Sequence, residues 1–265
     1  MSNRTIQQLL DMHGKVAIVT GGGTHLGRAM TESLAELGAV VHIASRRVDL
    51  CEETAIEMRS RGLQVHAHGC DATKEDQVRQ LVENVFAQSG RLDVMVANAG
   101  GNSTTSHPPH ASLAEFRNTF ELNVVSTFIS AQEAAKVMIP QGKGAIVTIG
   151  SIASRLAMDP RIYESTSFMR SGAPYITAKA AVLNLTRALA AEFSPHGVRV
   201  NCISPGQIPN DETDKDQVEI FRKMNAFHRT GLAEDLKGAV ALLATDAGAW
   251  ITGQEVLVDG GWSIW

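Results

Sequence analysis

The sequence predicts a doubly wound α/β fold, in which helices cover both faces of one parallel β-sheet. Short β-branched segments alternate with longer helical patterns along the 265 residues, as expected when each strand is followed by a crossover helix. The segments VAIVT, VVHIA and AIVTI are apolar nearly throughout, which is typical of strands buried on both faces. No stretch has the composition of a linker, so we expect residues 1–265 to form a single domain.

The strands and the helix starts can be placed along the chain. A helical pattern near residues 28–37 follows the first strand. Three further helix starts are predicted where a candidate capping side chain stands three residues before an acid, at Asp49, Thr73 and Ser112. The seven predicted strands cover residues 16–20, 40–44, 64–68, 94–97, 145–149, 199–203 and 255–258.

Composition argues against several classes of protein. The formal net charge is −4 and like charges do not cluster, so we expect no nucleic-acid surface. The first residues lack the continuous apolar segment of a signal peptide or membrane anchor, so we expect a cytoplasmic protein without membrane contact. The three cysteines, Cys51, Cys70 and Cys202, have no paired spacing, which predicts neither a disulfide framework nor a metal site.

Two helical segments carry very little charge. Residues 175–193 contain only Lys179, Arg187 and Glu192 as charged residues, and residues 122–132 contain none. A helix that is apolar nearly all round must be covered on more than one side. We therefore expect a homo-oligomer, a dimer or tetramer, in which a second subunit covers these helices. A thick internal core is the alternative.

The segment TGGGTHLG, residues 20–27, connects the first strand to the first long helix. Glycine lets the backbone approach a diphosphate closely, and the start of a helix offers unpaired N–H groups to it. This position in an alternating chain predicts a dinucleotide site, although glycines also serve tight turns that bind nothing. The residues expected to contact the cofactor here are Gly21, Gly23, His25, Leu26 and Gly27.

The end of the second predicted strand indicates which dinucleotide is bound. In NAD-selective folds an acid about 20 residues past the glycines bonds the ribose 2′-hydroxyl. Here that place holds Ser45, Arg46 and Arg47, which offer two guanidinium groups to a 2′-phosphate and no carboxylate to repel it. We therefore expect NADP, with NAD possible. Solvated surface arginines are the alternative.

A tyrosine and a lysine stand four residues apart in the segment YITAK. On a helix, Tyr175 and Lys179 share a face and lie one turn apart. A nearby ammonium group favours the phenolate, and at about 4 Å with an effective dielectric near 20 the attraction is roughly 4 kcal/mol. The spacing therefore predicts a tyrosine whose pKa is lowered toward working pH.

The ordered motifs from Lys15 to Gly261 closely resemble those of the short-chain dehydrogenase/reductase family, whose members have a Rossmann fold. The resemblance covers essentially the whole chain. It depends on TGGGTHLG, Asp71, ANAG at 97–100, Asn123, Ser151, YITAK at 175–179, SPG at 204–206 and VDGG at 258–261.

The resemblance implies catalytic roles for four residues. Tyr175 would exchange a proton with the substrate hydroxyl or carbonyl, and Lys179 would lower its pKa and hold the nicotinamide ribose. Ser151 would hydrogen-bond the substrate oxygen, and Asn123 would anchor a water that relays protons to Lys179. The hydride itself would belong to the cofactor. The remaining contacts implied for the cofactor are Asp71, Ala72, Asn98, Ala99, Gly100, Pro205, Gly206, Ile208 and Asn210, in addition to Tyr175 and Lys179.

The sequence departs from the family pattern at three places. His25 replaces the middle glycine of the first turn, and Asn210 stands where a threonine is common. Ser151 and Tyr175 are 24 positions apart, whereas family members usually separate them by about a dozen. The extra segment, residues 155–172, carries polar side chains that include Asp159, Arg161, Tyr163, Glu164 and Arg170.

This insertion is tethered at both ends to predicted catalytic positions, so we expect it near the mouth of the site, where it shapes substrate choice. A solvated surface loop is the alternative. Its polar content favours a small polar or sugar-like substrate, such as a sugar or sugar acid. The predicted activity is the NADP(H)-dependent interconversion of a secondary alcohol and a ketone. A 3-oxoacyl carrier-protein reductase is a rival activity, and a non-catalytic dinucleotide-binding scaffold or redox sensor is a rival of another class.

Overall fold

A computed structural model describes residues 3–102, 106–163 and 170–265 of the chain. Seven parallel strands form one sheet in the order β3-β2-β1-β4-β5-β6-β7. The doubly wound fold class is therefore confirmed, and each predicted strand lies within two residues of the observed one. The strands are β1 (Val16–Thr20), β2 (Val40–Ser45), β3 (Val65–Gly69), β4 (Val94–Ala97), β5 (Gly144–Ile149), β6 (Val198–Pro205) and β7 (Glu255–Val258).

Helices connect the strands and cover the sheet. The described α-helices are α1 (Ile6–Leu10), α2 (His25–Glu36), α3 (Val48–Ser60), α4 (Glu75–Ser89), α5 (Leu113–Phe120), α6 (Ser126–Gln141), α7 (Ala173–Phe193), α8 (Lys215–Met224) and α9 (Lys237–Ala244). A single π-helical turn, Glu121–Val125, joins α5 to α6. None of the helices in the described ranges is long and apolar enough to cross a bilayer.

The core consists of two apolar layers, one on each face of the sheet. Alternate residues of β1 point to opposite faces, so Ala17 and Val19 pack in one layer while Val16 and Ile18 pack in the other. Helices α2, α3 and α9 contribute to the first layer, and α4, α6 and α7 contribute to the second. This burial on both sides explains why the strands are apolar at nearly every position.

Only one of the three predicted helix caps is observed. Ser112 caps α5 by accepting a hydrogen bond from the backbone N–H of Glu115. The predictions at Asp49 and Thr73 are wrong, because α3 and α4 begin beside those residues and their capping positions are Arg47 and Lys74. The Thr73 hydroxyl instead donates to a carboxylate in the preceding loop.

The order of the strands creates a crevice beside β1. The chain runs outward from β1 to β2 and β3, and then returns to place β4 on the other side of β1. The connections that leave β1 and β4 therefore diverge at the carboxyl ends of these strands. Ligands of open α/β sheets bind at such a reversal of strand order.

A third apolar cluster lies outside the two main layers. Met158 and Tyr163 of the insertion pack in it with Phe221 of α8 and with Trp262 near the end of the chain. The start of the insertion is therefore anchored by buried side chains, although its composition is largely polar. Glu164 and the rest of residues 164–169 lie outside the described residues.

Candidate active site

A cleft of about 600 Å³ opens at the carboxyl ends of the central strands. Every predicted catalytic or cofactor-binding residue lines it except Gly23, Asn123 and Asn210. The cleft therefore brings together residues that are separated by up to 187 positions, from Gly21 to Ile208. The cofactor and catalytic roles assigned to these residues stay predictions.

The glycine turn lies at one end of the cleft, where β1 passes into α2. Gly21 has a φ of +66°, in the left-handed region that glycine adopts without strain. A Cβ atom at Gly27 would collide with the carbonyl oxygen of Gly21. Gly23 instead packs against Cys51 of α3, where an added Cβ atom would lie 3.0 Å from the Cys51 Cα, which explains why Gly23 lies outside the cleft lining.

Asn98, at the end of β4, ties the glycine turn to the neighbouring strand. Its side-chain amide donates to the carbonyl oxygens of Thr20, at 2.9 Å, and Gly21, at 3.1 Å. The Thr20 hydroxyl in turn accepts from the backbone N–H groups of Asn98 and Ala99, both at 3.1 Å. These bonds hold the ends of β1 and β4 in register across the crevice.

His25 begins α2 and reaches across the cleft. Its φ is +45°, an uncommon backbone region for a residue with a side chain, at the position where the family has a glycine. The imidazole Nε2 lies 3.3 Å from the carbonyl oxygen of Pro209. A carbonyl can only accept, so Nε2 carries the proton of this bond. The side chain thus joins the glycine turn to the loop after β6.

Two exposed arginines stand at the end of β2. Arg46 and Arg47 line the cleft, and Ser45 fixes the backbone beside them, because its hydroxyl donates to the carbonyl of Arg47 and accepts from its N–H. Acidic residues are absent from the end of β2 itself. The guanidinium groups are therefore available to an anion in the cleft.

Asp71 lies in the same part of the cleft, after β3. Burial alone would raise the pKa of its carboxyl group. Hydrogen bonds from the backbone and hydroxyl of Thr73, together with the charge of Arg46, outweigh burial and hold this pKa below its ordinary value. Asp71 is therefore ionised at neutral pH and accepts hydrogen bonds only.

Ser151 and Tyr175 meet at the opposite end of the cleft, and Tyr175 is carried by the first turn of α7. The Ser151 hydroxyl accepts from the backbone N–H of Ala153, at 3.1 Å, so its own proton is free to be donated. Burial raises the pKa of Tyr175, and a hydrogen bond between the two side chains offsets only part of this effect. In this structure the tyrosine is a phenol at neutral pH.

Lys179 lies one turn further along α7, with its side chain buried. Its ammonium nitrogen Nζ donates to the carbonyl oxygen of Ile149, at 2.8 Å, and lies 5.7 Å from the centre of the Tyr175 ring. Burial lowers the pKa of Lys179 to about 8. The expectation that Lys179 lowers the pKa of Tyr175 is not met, because burial raises this pKa and the ammonium bonds the carbonyl at the end of β5.

Asn123 lies behind the cleft wall, within the π-helical turn. Its amide accepts from the N–H of Gly101 and donates to the carbonyls of Gly101 and Thr119. A Cβ atom at Gly100 would lie 2.8 Å from the Asn123 oxygen and 3.5 Å from Lys179 Nζ. Asn123 therefore holds the loop that separates it from Lys179, and its proton-relay role stays a prediction.

The loop after β6 forms the remaining wall. Pro205, Gly206 and Ile208 line the cleft as predicted, and Gln207 between them does so too, although sequence reasoning missed it. In the sequence, only its position between two predicted residues indicated that it would line the cleft. Asn210 is exposed, and its amide bonds the Thr213 hydroxyl at 2.9 Å, so the structure does not place it with the cofactor residues.

The arrangement has the parts that carbonyl reduction requires. A phenol and a hydroxyl group converge at one end of the cleft, where they can hydrogen-bond one substrate oxygen. A helix start, two arginines and a close-packed glycine turn occupy the other end. No group of three or more potential metal ligands was found among the described residues.

Comparison with known proteins places the chain in a family. Residues 23–263 match the family model described as "Enoyl-(Acyl carrier protein) reductase". Zerumbone synthase of Zingiber zerumbet is 32% identical over 96% of this chain and 96% of its own. The 7α-hydroxysteroid dehydrogenase of Escherichia coli K12 is also 32% identical, over 95% of each chain.

Solved structures agree with this assignment. The NADPH-dependent 3-quinuclidinone reductase of Rhodotorula rubra is 31% identical, with a TM-score of 0.89 over 100% of this chain and 97% of its own. A gluconate 5-dehydrogenase of Burkholderia cenocepacia J2315, in complex with NADP and tartrate, is 27% identical, with a TM-score of 0.88 over 98% of this chain and 100% of its own.

The fold and the cleft therefore define a nicotinamide-dependent oxidoreductase that acts on CH–OH groups. The chain belongs to the short-chain dehydrogenase/reductase family.

The buried ammonium of Lys179 makes stability depend on pH. Its pKa in the folded protein, about 8, lies below the ordinary lysine value of 10.5 that applies to the unfolded chain. The unfolded chain therefore holds this proton to higher pH, and wild-type stability rises with pH between these two values. In Lys179→Met this gain should be lost. We expect the difference in unfolding free energy, wild type minus variant, to rise by about 2 kcal/mol between about pH 7 and about pH 9.5.

Urea unfolding at both pH values measures this difference. Lys74→Met removes an exposed lysine and serves as the control. An equal pH dependence in wild type and Lys179→Met would contradict the effect assigned to burial.

Proposed function

We propose that this chain uses NADP(H) to interconvert a secondary alcohol and a ketone on a small polar or sugar-like substrate. The observation that carries the choice of cofactor is the pair Arg46 and Arg47, which face the cleft at the end of β2. A 2′-phosphate placed there can form charge-assisted hydrogen bonds. A 2′-hydroxyl lacks the acidic partner that NAD-selective folds supply from this strand.

The solved structures of relatives leave the choice of nucleotide open. The 3-quinuclidinone reductase is NADPH-dependent, and the gluconate 5-dehydrogenase was crystallised with NADP. A 7α-hydroxysteroid dehydrogenase, 29% identical, was crystallised with NADH. The argument for NADP therefore depends on this chain's own arginines.

The residues of the cleft fit a nicotinamide dinucleotide along its whole length. The N–H groups that begin α2, next to Gly27, where a side chain would collide with Gly21, would hold the diphosphate. Lys179 would hold the nicotinamide ribose beside Tyr175. When bound, the cofactor supplies hydride to a ketone or accepts it from an alcohol.

Tyr175 and Ser151 act on the substrate oxygen. In reduction, the Ser151 hydroxyl donates a hydrogen bond to the carbonyl and stabilises the charge that develops there. Tyr175 then gives its proton to that oxygen, a role for which its raised pKa keeps it protonated at neutral pH. In oxidation the alcohol proton returns to Tyr175. Lys179, whose pKa of about 8 is close to working pH, can accept or supply a proton beside it.

We also propose that the chain is a cytoplasmic homo-oligomer, a dimer or tetramer. Charged side chains are scarce along α6 and α7, and Phe128 on α6 is 40% exposed. A second copy would cover this apolar surface. Light scattering at micromolar concentration should give two or four times the mass of 28.4 kDa, and a monomer would contradict the proposal.

The choice of cofactor is tested by titration with NADPH and NADH, followed by nicotinamide fluorescence. Wild type should bind NADPH more tightly. Arg46→Ser with Arg47→Ser should weaken NADPH binding by at least about ten- to a hundredfold, which is the effect of losing a single charge-assisted contact of about 1.5–3 kcal/mol. NADH binding should be unchanged.

Arg79→Ser, on the surface of α4, controls for the loss of a positive charge. If wild type bound NADH more tightly, or if the double variant retained full NADPH affinity, the 2′-phosphate assignment would be wrong.

The catalytic assignment is tested with Tyr175→Phe. Removing the phenol oxygen removes the proton donor, so turnover should fall by at least about a hundredfold, the lower end of what general acid catalysis contributes. NADPH affinity should stay within about twofold. Steady-state NADPH oxidation and fluorescence titration measure the two quantities. Unchanged turnover would favour a scaffold in which this site performs no chemistry.

A further inference from the structure

A second, smaller chamber adjoins the cofactor cleft. It has a volume of about 230 Å³, the share of liquid occupied by roughly eight water molecules at about 30 Å³ each. Gln207 and Ile208 line both spaces, so the chamber adjoins the end of the cleft that is formed by the loop after β6. Its size admits a small molecule or one end of a larger one.

The chamber walls come from three parts of the chain. Tyr163 and Ser171 belong to the insertion, Gln207 and Thr213 to the segment between β6 and α8, and Gln217 to the first turn of α8. All five side chains are polar and none is ionised at neutral pH. Lysine, arginine, aspartate and glutamate are absent from the lining that the described residues provide.

Two of these polar groups have unused hydrogen-bonding capacity. The Thr213 hydroxyl bonds Asn210, and the Ser171 hydroxyl accepts from the amide of Asn102. The partly buried side-chain amides of Gln207 and Gln217 form no hydrogen bond with any described residue. Each offers one acceptor oxygen and two donor hydrogens at the wall of a chamber that adjoins the catalytic cleft.

Carboxamides and hydroxyl groups are complementary, because each can donate and accept a hydrogen bond. We propose that Gln207 and Gln217 bind hydroxyl groups of the substrate and thereby select a neutral polyol or hydroxyketone. This inference rests on the proposed alcohol and ketone chemistry of the adjoining cleft, and it narrows the substrate from polar molecules in general to uncharged ones.

The charge and polarity of the chamber lining argue against a ketone that carries a carboxylate and against an apolar ketone. A carboxylate in the chamber would lose water without gaining a cationic partner from the lining residues that the structure describes. Arg170 is close enough to Tyr163 to affect its pKa, which burial raises overall, but Arg170 does not line the chamber. An apolar ketone would exclude water from both amides and leave them unpaired.

The test compares three ketones of four carbons under identical conditions. L-erythrulose carries hydroxyl groups, 2-butanone carries none, and acetoacetate carries a carboxylate. D-fructose is included as a longer neutral ketose. In each reaction a ketone, NADPH and a proton give the secondary alcohol and NADP⁺. For wild type, kcat/KM for at least one neutral ketose should exceed the values for 2-butanone and acetoacetate by at least about tenfold.

Two variants test whether these glutamines cause the preference for a neutral ketose. Gln217→Leu should lower kcat/KM for the preferred ketose about ten- to a hundredfold, mainly through KM, and leave kcat/KM for 2-butanone unchanged or raised. Gln207→Leu should also lower kcat/KM for the preferred ketose, whereas the comparison with 2-butanone is made with Gln217→Leu alone, because Gln207 lines the cofactor cleft as well. Gln80→Leu on the exposed surface of α4 is the matched control, and equal melting temperatures establish that the variants are folded.

The outcomes separate this inference from the proposed function. Reduction of 2-butanone or acetoacetate in preference to both ketoses, or an unchanged ketose kcat/KM in Gln217→Leu, would overturn the selection of hydroxyl groups. The proposed chemistry would survive, and a preference for acetoacetate would direct attention to Arg170. If none of the four ketones causes oxidation of NADPH, both this inference and the proposed alcohol and ketone chemistry of the cleft fail.

Discussion

The hydrogen bonds from Asn98 to the end of β1 are the contacts on which the rest of the site depends. Strands β1 and β4 are neighbours in the sheet, but the chain leaves them toward opposite sides. Beyond the last paired residues of these strands, the Asn98 amide links their carboxyl ends at 2.9 Å and 3.1 Å, beside the hydrogen bonds that the Thr20 hydroxyl accepts from Asn98 and Ala99. The glycine turn, the start of α2 and the wall at Gly100 are all positioned relative to this link.

The burial of a charged side chain near β5 lowers the stability of the folded protein at this site. Lys179 is 5% exposed, and its ammonium donates a hydrogen bond to the carbonyl of Ile149. Burial of this kind disfavours the charged form, and a hydrocarbon side chain would pack there without that cost. The π-helical turn at Asn123 is a second local irregularity, and such turns occur often at functional sites. Both features lie beside the same segment of the cleft wall. The folded state is therefore less stable than it could be at the place where catalysis is expected.

The fold was largely predictable, whereas the fine structure of the site was not. Strands buried on both faces have continuous apolar sequences, which is why β1, β2 and β5 could be read directly. Most of the residues predicted from the ordered family motifs also line the cleft. Spacing could not predict where a side chain points. Tyr175 and Lys179 share a helix face as expected, yet the ammonium bonds the backbone of β5.

Other departures have similar causes. Gly23 serves the packing of α3, and Asn210 closes a local turn with Thr213; both depend on contacts that the linear sequence does not reveal. The insertion looked like a polar loop because its average composition hides Met158 and Tyr163, which are buried against α8. Gln207 was passed over because a single glutamine carries no spacing pattern.

The central claim is that one cleft holds NADP with its 2′-phosphate on the arginines after β2 and its nicotinamide beside Tyr175. A crystal structure of the complex with NADP⁺ tests this most directly. The account predicts the diphosphate at the start of α2, the 2′-phosphate within hydrogen-bonding distance of Arg46 or Arg47, and the nicotinamide ring between Ser151 and the loop after β6. A nucleotide bound elsewhere, or bound in the cleft with its 2′-phosphate directed into solvent, would contradict it.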